Sequence, residues 1–261
     1  MHKGMKCLVL KVIVLCGWAM ALQGETITVN PVDDTILNGT STSGTNTYSL
    51  YNYGNTASLM FRENGGTKIL LLRFDLSPYA EKIATRGFVV TNATLRLYYS
   101  STGNKPGNTA TPRVTALRPG RATWQEGTGN GTVTNDGPTW GYYLYDTKAW
   151  YASGAASYDN DYMGPWGTLG SGSVPMDGPA GWYEIVLNPT FGGNTLELLF
   201  RSWAGLSDGA YGASDPVNPG LKVLAGQGLI NQYVDSSEGT HPPELVIEYT
   251  VPALGTIITL Q

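Results

Sequence analysis

Apolar and polar residues alternate along several short stretches of the chain, the period of a strand with one buried face. Lys68-Ile69-Leu70-Leu71-Leu72-Arg73-Phe74-Asp75-Leu76 sets Leu70, Leu72, Phe74 and Leu76 on one face, with Arg73 and Asp75 on the other. Ala93 to Tyr99, Tyr183 to Leu187, Thr195 to Arg201 and Glu244 to Tyr249 alternate in the same way, each between clusters of Gly, Pro, Asn or Ser. A helical stripe is missing, except that Ser77-Pro78 to Arg86 allows one short helical turn. One-sided strands joined by turns predict an all-β chain, an antiparallel β-sandwich of jelly-roll type with two sheets packed face to face. With no internal repeat and no dividing linker, residues 25–250 read as one domain.

One stretch breaks the pattern. Between Arg118 and Pro179 stand Trp124, Trp140, Tyr142, Tyr143, Tyr145, Trp150, Tyr151, Tyr158, Tyr162 and Trp166, amid many glycines and few aliphatic residues. Such a segment reads as a long aromatic- and glycine-rich insertion lying over the sandwich. Beyond residue 250 the tail 251–261, with Thr256-Ile257-Ile258-Thr259-Leu260, is apolar, β-prone and too short to span a membrane.

The N-terminal stretch changes the arithmetic. Lys3 and Lys6 precede an apolar run from Cys7 to Leu22, and Ala19-Met20-Ala21 has the small residues that a signal peptidase reads. Residues 1–24 are therefore expected to be a signal peptide cleaved near 21–24, and the protein to be secreted. Without Lys3, Lys6 and Lys11 the chain keeps 13 basic against 20 acidic residues, a net charge of about −7. That balance disfavours nucleic acid and anionic membranes as partners. Both cysteines, Cys7 and Cys16, leave with the segment, so no disulfide is expected and a sizeable core or a bound ion must hold the fold. A single histidine, His241, remains, which excludes Cys/His zinc sites and cysteine nucleophiles. Its setting, Thr240-His241-Pro242-Pro243, reads as a loop before the last strand, and no Gly-x-Ser-x-Gly elbow supports a serine triad.

Several motifs arrive in a recognisable order. They are Asp34-Thr35, Asn52-Tyr53-Gly54-Asn55, Leu70-Leu71-Leu72-Arg73-Phe74-Asp75-Leu76-Ser77 and Ala93-Thr94-Leu95-Arg96-Leu97-Tyr98. Trp124-Gln125-Glu126-Gly127, Thr139-Trp140 and Pro242-Pro243-Glu244-Leu245-Val246-Ile247-Glu248-Tyr249 follow. Together they resemble the DNRLRE-type domain, a group that includes disaggregatase-related repeats and the carbohydrate-binding module family numbered ninety-six. The resemblance covers nearly all of the expected mature chain, and the aromatic insertion departs from its short members. It implies a secreted β-sandwich of the kind appended to polysaccharide-degrading enzymes or surface proteins.

Three kinds of site are open. Trp140, Tyr142, Tyr143, Trp150, Tyr151 and Trp166 offer ring faces on which sugar C–H faces stack, with Asp146, Asp159 and Asp161 near in sequence to bond hydroxyls. The same rings would otherwise roof the sandwich in place of aliphatic residues, and Trp124 and Trp140, which match the family pattern, are the more structural of them. A calcium ion would want oxygen ligands, and Asp34, Asn55 and Asp75, with Asp33 and Asn52 near by, supply them unless they merely bond turn amides. Glu126, Asp136, Asp146 and Asp161 would allow glycoside hydrolysis, and a uronic acid lyase would further want a basic or tyrosine proton acceptor and a cation, but nothing in the sequence ties any pair together. Asn38, Asn92 and Asn130 begin glycosylation acceptor triplets. The expected function is thus a secreted, non-catalytic carbohydrate-binding module with a polysaccharide or matrix glycan as partner. The alternative is a structural or assembly protein of a cell surface or matrix, self-associating through its tail.

Overall fold

The computed structural model describes residues 22–40, 48–63, 67–121, 123–157, 160–163, 169–191, 194–209, 220–226 and 230–252. Twelve strands form one antiparallel sheet: β1 (Leu22–Val29), β2 (Pro31–Asn38), β3 (Ser58–Phe61), β4 (Lys68–Phe74), β5 (Val89–Ser101) and β6 (Arg113–Leu117), followed by β7 (Tyr162–Met163), β8 (Gly170–Gly172), β9 (Gly181–Leu187), β10 (Gly220–Leu224), β11 (Gln232–Asp235) and β12 (Glu244–Pro252). The spatial order is β1-β12-β5-β9-β8-β6-β10-β4-β2; β7 also pairs with β6, and β11 with β3 and β5. The sheet curls into a half-barrel, so its two halves face each other as a sandwich.

The expected two separate sheets are joined by β8, whose residues pair with β9 on one side and β6 on the other. Glycine makes the seam possible. A Cβ at Gly170 would lie 2.6 Å from the Val186 carbonyl oxygen, and one at Gly172 would lie 2.9 Å from Ile185. This strand lies inside the aromatic insertion, which therefore contributes to the sheet as well as covering it.

The inner core follows the alternation. Leu70, Leu72 and Phe74 of β4 meet Leu95, Leu97 and Tyr99 of β5, Ile185 and Leu187 of β9, and Leu245, Ile247 and Tyr249 of β12. The outer face of β4 is buried too. Ile69 and Leu71, with Leu37, Leu117 and Leu224, form a second core against Trp124, Tyr143, Trp150, Ala155 and Tyr162 of the insertion. Fully burying side chains of this size is worth roughly 1.5–3 kcal/mol each, so the insertion is a structural layer.

One expected strand is a helix. Thr195–Arg201 contributes instead to α2 (Leu196–Trp203), the larger of the two short α-helices among the described residues; α1 is Ala80–Ala84, inside the predicted Ser77–Arg86 turn. Leu196, Leu199, Phe200 and Trp203 are buried, the i, i+3, i+4, i+7 stripe of a helix. The Thr195 hydroxyl accepts the Leu198 N–H at 3.3 Å, capping the first turn, and Glu197 sits where the helix dipole favours a carboxylate. Arg201 fastens α2 to α1 by donating to the Ile83 carbonyl. Among the described residues no helix is long and apolar enough to cross a membrane. The expected signal peptide up to residue 21 and the tail 253–261 lie outside the described residues, and β1 begins at Leu22 rather than near Glu25.

Candidate functional site

The second core corrects the expected sugar platform. Tyr143 and Trp150 are each 4% exposed, with rings 5.5 Å apart, and the Trp150 indole N–H donates to the Thr139 carbonyl at 3.0 Å. Rings packed against Leu37 and Leu71 present no face to a ligand, so neither residue can stack on a sugar. Trp140 is half-buried against the same core. Tyr142 is half-buried, and Tyr151 is 67% exposed, the most open of the described rings of the set. Trp166, Tyr158 and Asp159 lie outside the described residues. Asp161 is wholly buried and accepts the N–H groups of Tyr151, Ala152 and Ser157 at 2.8–3.1 Å, with Arg121 at 3.2 Å; it shapes the insertion. Asp136 bonds the Thr128 hydroxyl at 2.9 Å, and Asp146 is exposed.

The expected calcium ligands are also redistributed. Asp75 caps the Ser77 N–H at 2.9 Å, and Asn55 is exposed, its backbone N–H given to the Gly129 carbonyl. Asn52 is spent on the chain itself: its amide donates to the carbonyls of Glu126 and Pro138 and accepts from Gly54 and Gly129. Asp34 joins other partners. Its carboxylate and those of Glu126 and Glu238 offer oxygens all within 4.8 Å of one another. Three distant segments build this group: β2, the first loop of the insertion, and the turn between β11 and β12.

Local bonds fix the group. A bulge in β2 between Pro31 and Asp33 puts Asp33 opposite Arg73, with which it forms an ion pair. Asp33 accepts the Glu126 N–H at 3.1 Å while Glu126 accepts the Asp34 N–H at 3.1 Å. Ser237 donates its N–H to Asp34 Oδ2 at 2.6 Å. Burial pushes the Asp34 carboxyl up to about 7, helped by the Glu238 and Glu126 charges and opposed by the Ser237 N–H. Burial also raises Glu126, with Glu238 adding to it and Arg73 opposing. Crowded carboxylates of this kind can hold a metal ion or share a proton.

A second constellation was absent from the sequence reading. On the outward face of the sheet Tyr98 of β5 and Trp182 of β9 are register partners, their rings 5.5 Å apart and edge to face. His241 stacks on Tyr98 at 3.8 Å and meets Trp182 edge-on at 6.2 Å. The Arg96 guanidinium lies 4.7 Å over the Trp182 ring, between Glu184 and Glu244, with which it forms ion pairs. All three rings are half-buried, which leaves ring surface in solvent. The signal was faint because Tyr98 and Trp182 sit at outward positions of strands read for their inward faces, and His241 lies in a turn distant from both in sequence. No family model matches the chain, and none of the curated proteins searched matches it either.

Proposed function

We propose that the protein is a non-catalytic carbohydrate-binding module of the cell exterior and that its glycan lies on the outward face of β5 and β9. The observation that carries this reading is the Tyr98–Trp182–His241 cluster beside Arg96, Glu184 and Glu244. Sugars present apolar C–H faces and a rim of hydroxyls, and this surface offers ring faces with charged acceptors and donors around them. The resemblance to DNRLRE-type domains and the charged, then apolar, N-terminal stretch support the same reading. Calcium is the ion proposed for Asp34, Glu126 and Glu238, because an all-carboxylate donor set suits a hard cation and oxygens around one calcium, each about 2.3–2.6 Å from it, lie up to about 5 Å apart.

Affinity electrophoresis against soluble neutral polysaccharides tests the reading. Retention is expected for the wild type, and Trp182→Ala should weaken it at least about tenfold. Tyr143→Ala should leave intrinsic affinity unchanged while lowering stability by about 3–5 kcal/mol. Retention that survives Trp182→Ala would remove this face from consideration. A second reading, self-assembly, has one observation in its favour: among the described residues β1 pairs only with β12, leaving its other edge open. A rise in apparent mass with concentration in light scattering would select it.

A further inference from the structure

The carboxylate group and the aromatic face share one short turn. Glu238 and His241 both belong to the connection from β11 to β12, three positions apart. At its start Asp235 accepts the His241 backbone N–H at 3.2 Å and faces the ring nitrogen Nδ1 at 3.1 Å. Ser236 is wholly buried, its N–H donated to the Ala57 carbonyl at 3.2 Å. Gly239 closes the turn by donating to Ser236, and a Cβ there would come within 2.8 Å of the Ala57 carbonyl oxygen. So tight a turn has little slack between its two ends.

The acidic side carries an unmet demand. Asp34 is 0% exposed, and its Oδ1 has no hydrogen-bond partner, although the same carboxylate faces those of Glu126 and Glu238. A buried acceptor without a partner is costly, and three carboxylates in this space repel one another. Glu238 alone of the three is exposed and able to swing away. A divalent cation among the three oxygens would meet the orphan acceptor and reverse the repulsion.

We propose that a divalent cation held by Asp34, Glu126 and Glu238 pins the turn between β11 and β12 and thereby fixes His241 on Tyr98 and Trp182. The aromatic face is then a cation-regulated surface, and its role in glycan binding rests on the reading given above. In the absence of the ion, departure of Glu238 loosens Ser237 and the turn behind it. With the ion bound, Glu238 and Asp34 are held together, and His241 stays stacked.

The test uses the full chain stripped with chelator and titrated with calcium. Saturating calcium should raise the melting temperature by about 5–10 °C. Glu238→Gln, a change at an exposed position, should melt close to the stripped wild type and lose most of that rise. Diethylpyrocarbonate modification, read by mass spectrometry on the peptide containing His241, should slow severalfold with calcium in the wild type and stay unchanged in Glu238→Gln. Polysaccharide retention should strengthen with calcium in parallel. A melting temperature indifferent to calcium, or raised equally in Glu238→Gln, overturns the site. A rise without any change at His241 overturns the coupling. If calcium stabilises the chain and protects His241 while no polysaccharide is retained, the inference stands and the glycan reading falls.

Discussion

A charge that folding has buried is the sharpest feature at the scale of single residues. Lys222 of β10 is 0% exposed in the second core, its ammonium given to the Ala155 carbonyl and 4.9 Å from the Tyr162 ring centre. Burial pushes it down to about 7, against the pull of the Asp161 charge. The unfolded lysine titrates near 10.4, so between about pH 7 and pH 10 the unfolded chain holds a proton that the folded chain lacks. Stability from this residue is therefore complete above about pH 10 and lost as pH falls to about 7. Lys222→Met is expected to stabilise by about 1–4 kcal/mol near pH 7 and by much less near pH 10, measured by denaturant melts. Asp161 tolerates the change because three backbone N–H groups and Arg121 still hold it. An equal gain at both pH values would refute the titration argument. Nothing in the alternation predicts this lysine: it occupies a position that only the insertion's cover turns into an interior.

Among the elements, α2 shows how two periods compete in one stretch. Leu196, Leu198 and Phe200 alternate as a strand would, while Leu196, Leu199, Phe200 and Trp203 match a helix that runs two residues beyond the window read. The Thr195 cap decides between them, and Thr195→Ala should cost about 1 kcal/mol, a fall of about 2–4 °C in melting temperature, with Thr195→Ser restoring it. A silent Thr195→Ala would show that burial of Trp203 and Phe200 alone selects the helix. The strands containing Leu70, Leu95, Ile185 and Ile247 were legible because each alternates between one core and solvent or between two cores. β8 was not, since Gly170-Ser171-Gly172 carries no apolar pattern and owes its place to the close approach of Val186 and Ile185. The site divided similarly. Asp34 was visible beside the turn-forming motifs, but Glu126 and Glu238 reach it only through tertiary contacts 92 and more residues away in sequence.

For the whole molecule, the layering sets where the fold is hardest to open. β4 has the inner core on one face and the insertion's core on the other, and it pairs with β10 and β2 at its edges. Its amides, from Ile69 to Leu72, are expected to exchange most slowly of all, as global unfolding requires, whereas those of β1 should exchange by local fraying. Hydrogen exchange read by mass spectrometry measures both, and equal protection in β1 would contradict the layered picture.

The pairing of Leu22 with Pro252 sets the order in which this chain can be completed during synthesis. β12 is the last strand of the described residues and lies between β1 and β5, both of which precede it by more than a hundred residues. Until Glu244–Pro252 leaves the ribosome, Ile27 and Leu95 have no Ile247 or Leu245 between them, and two strand edges stay open at once. Closure of contacts so distant along the chain is slow, and a chain interrupted anywhere short of β12 remains an unclosed, adhesive intermediate.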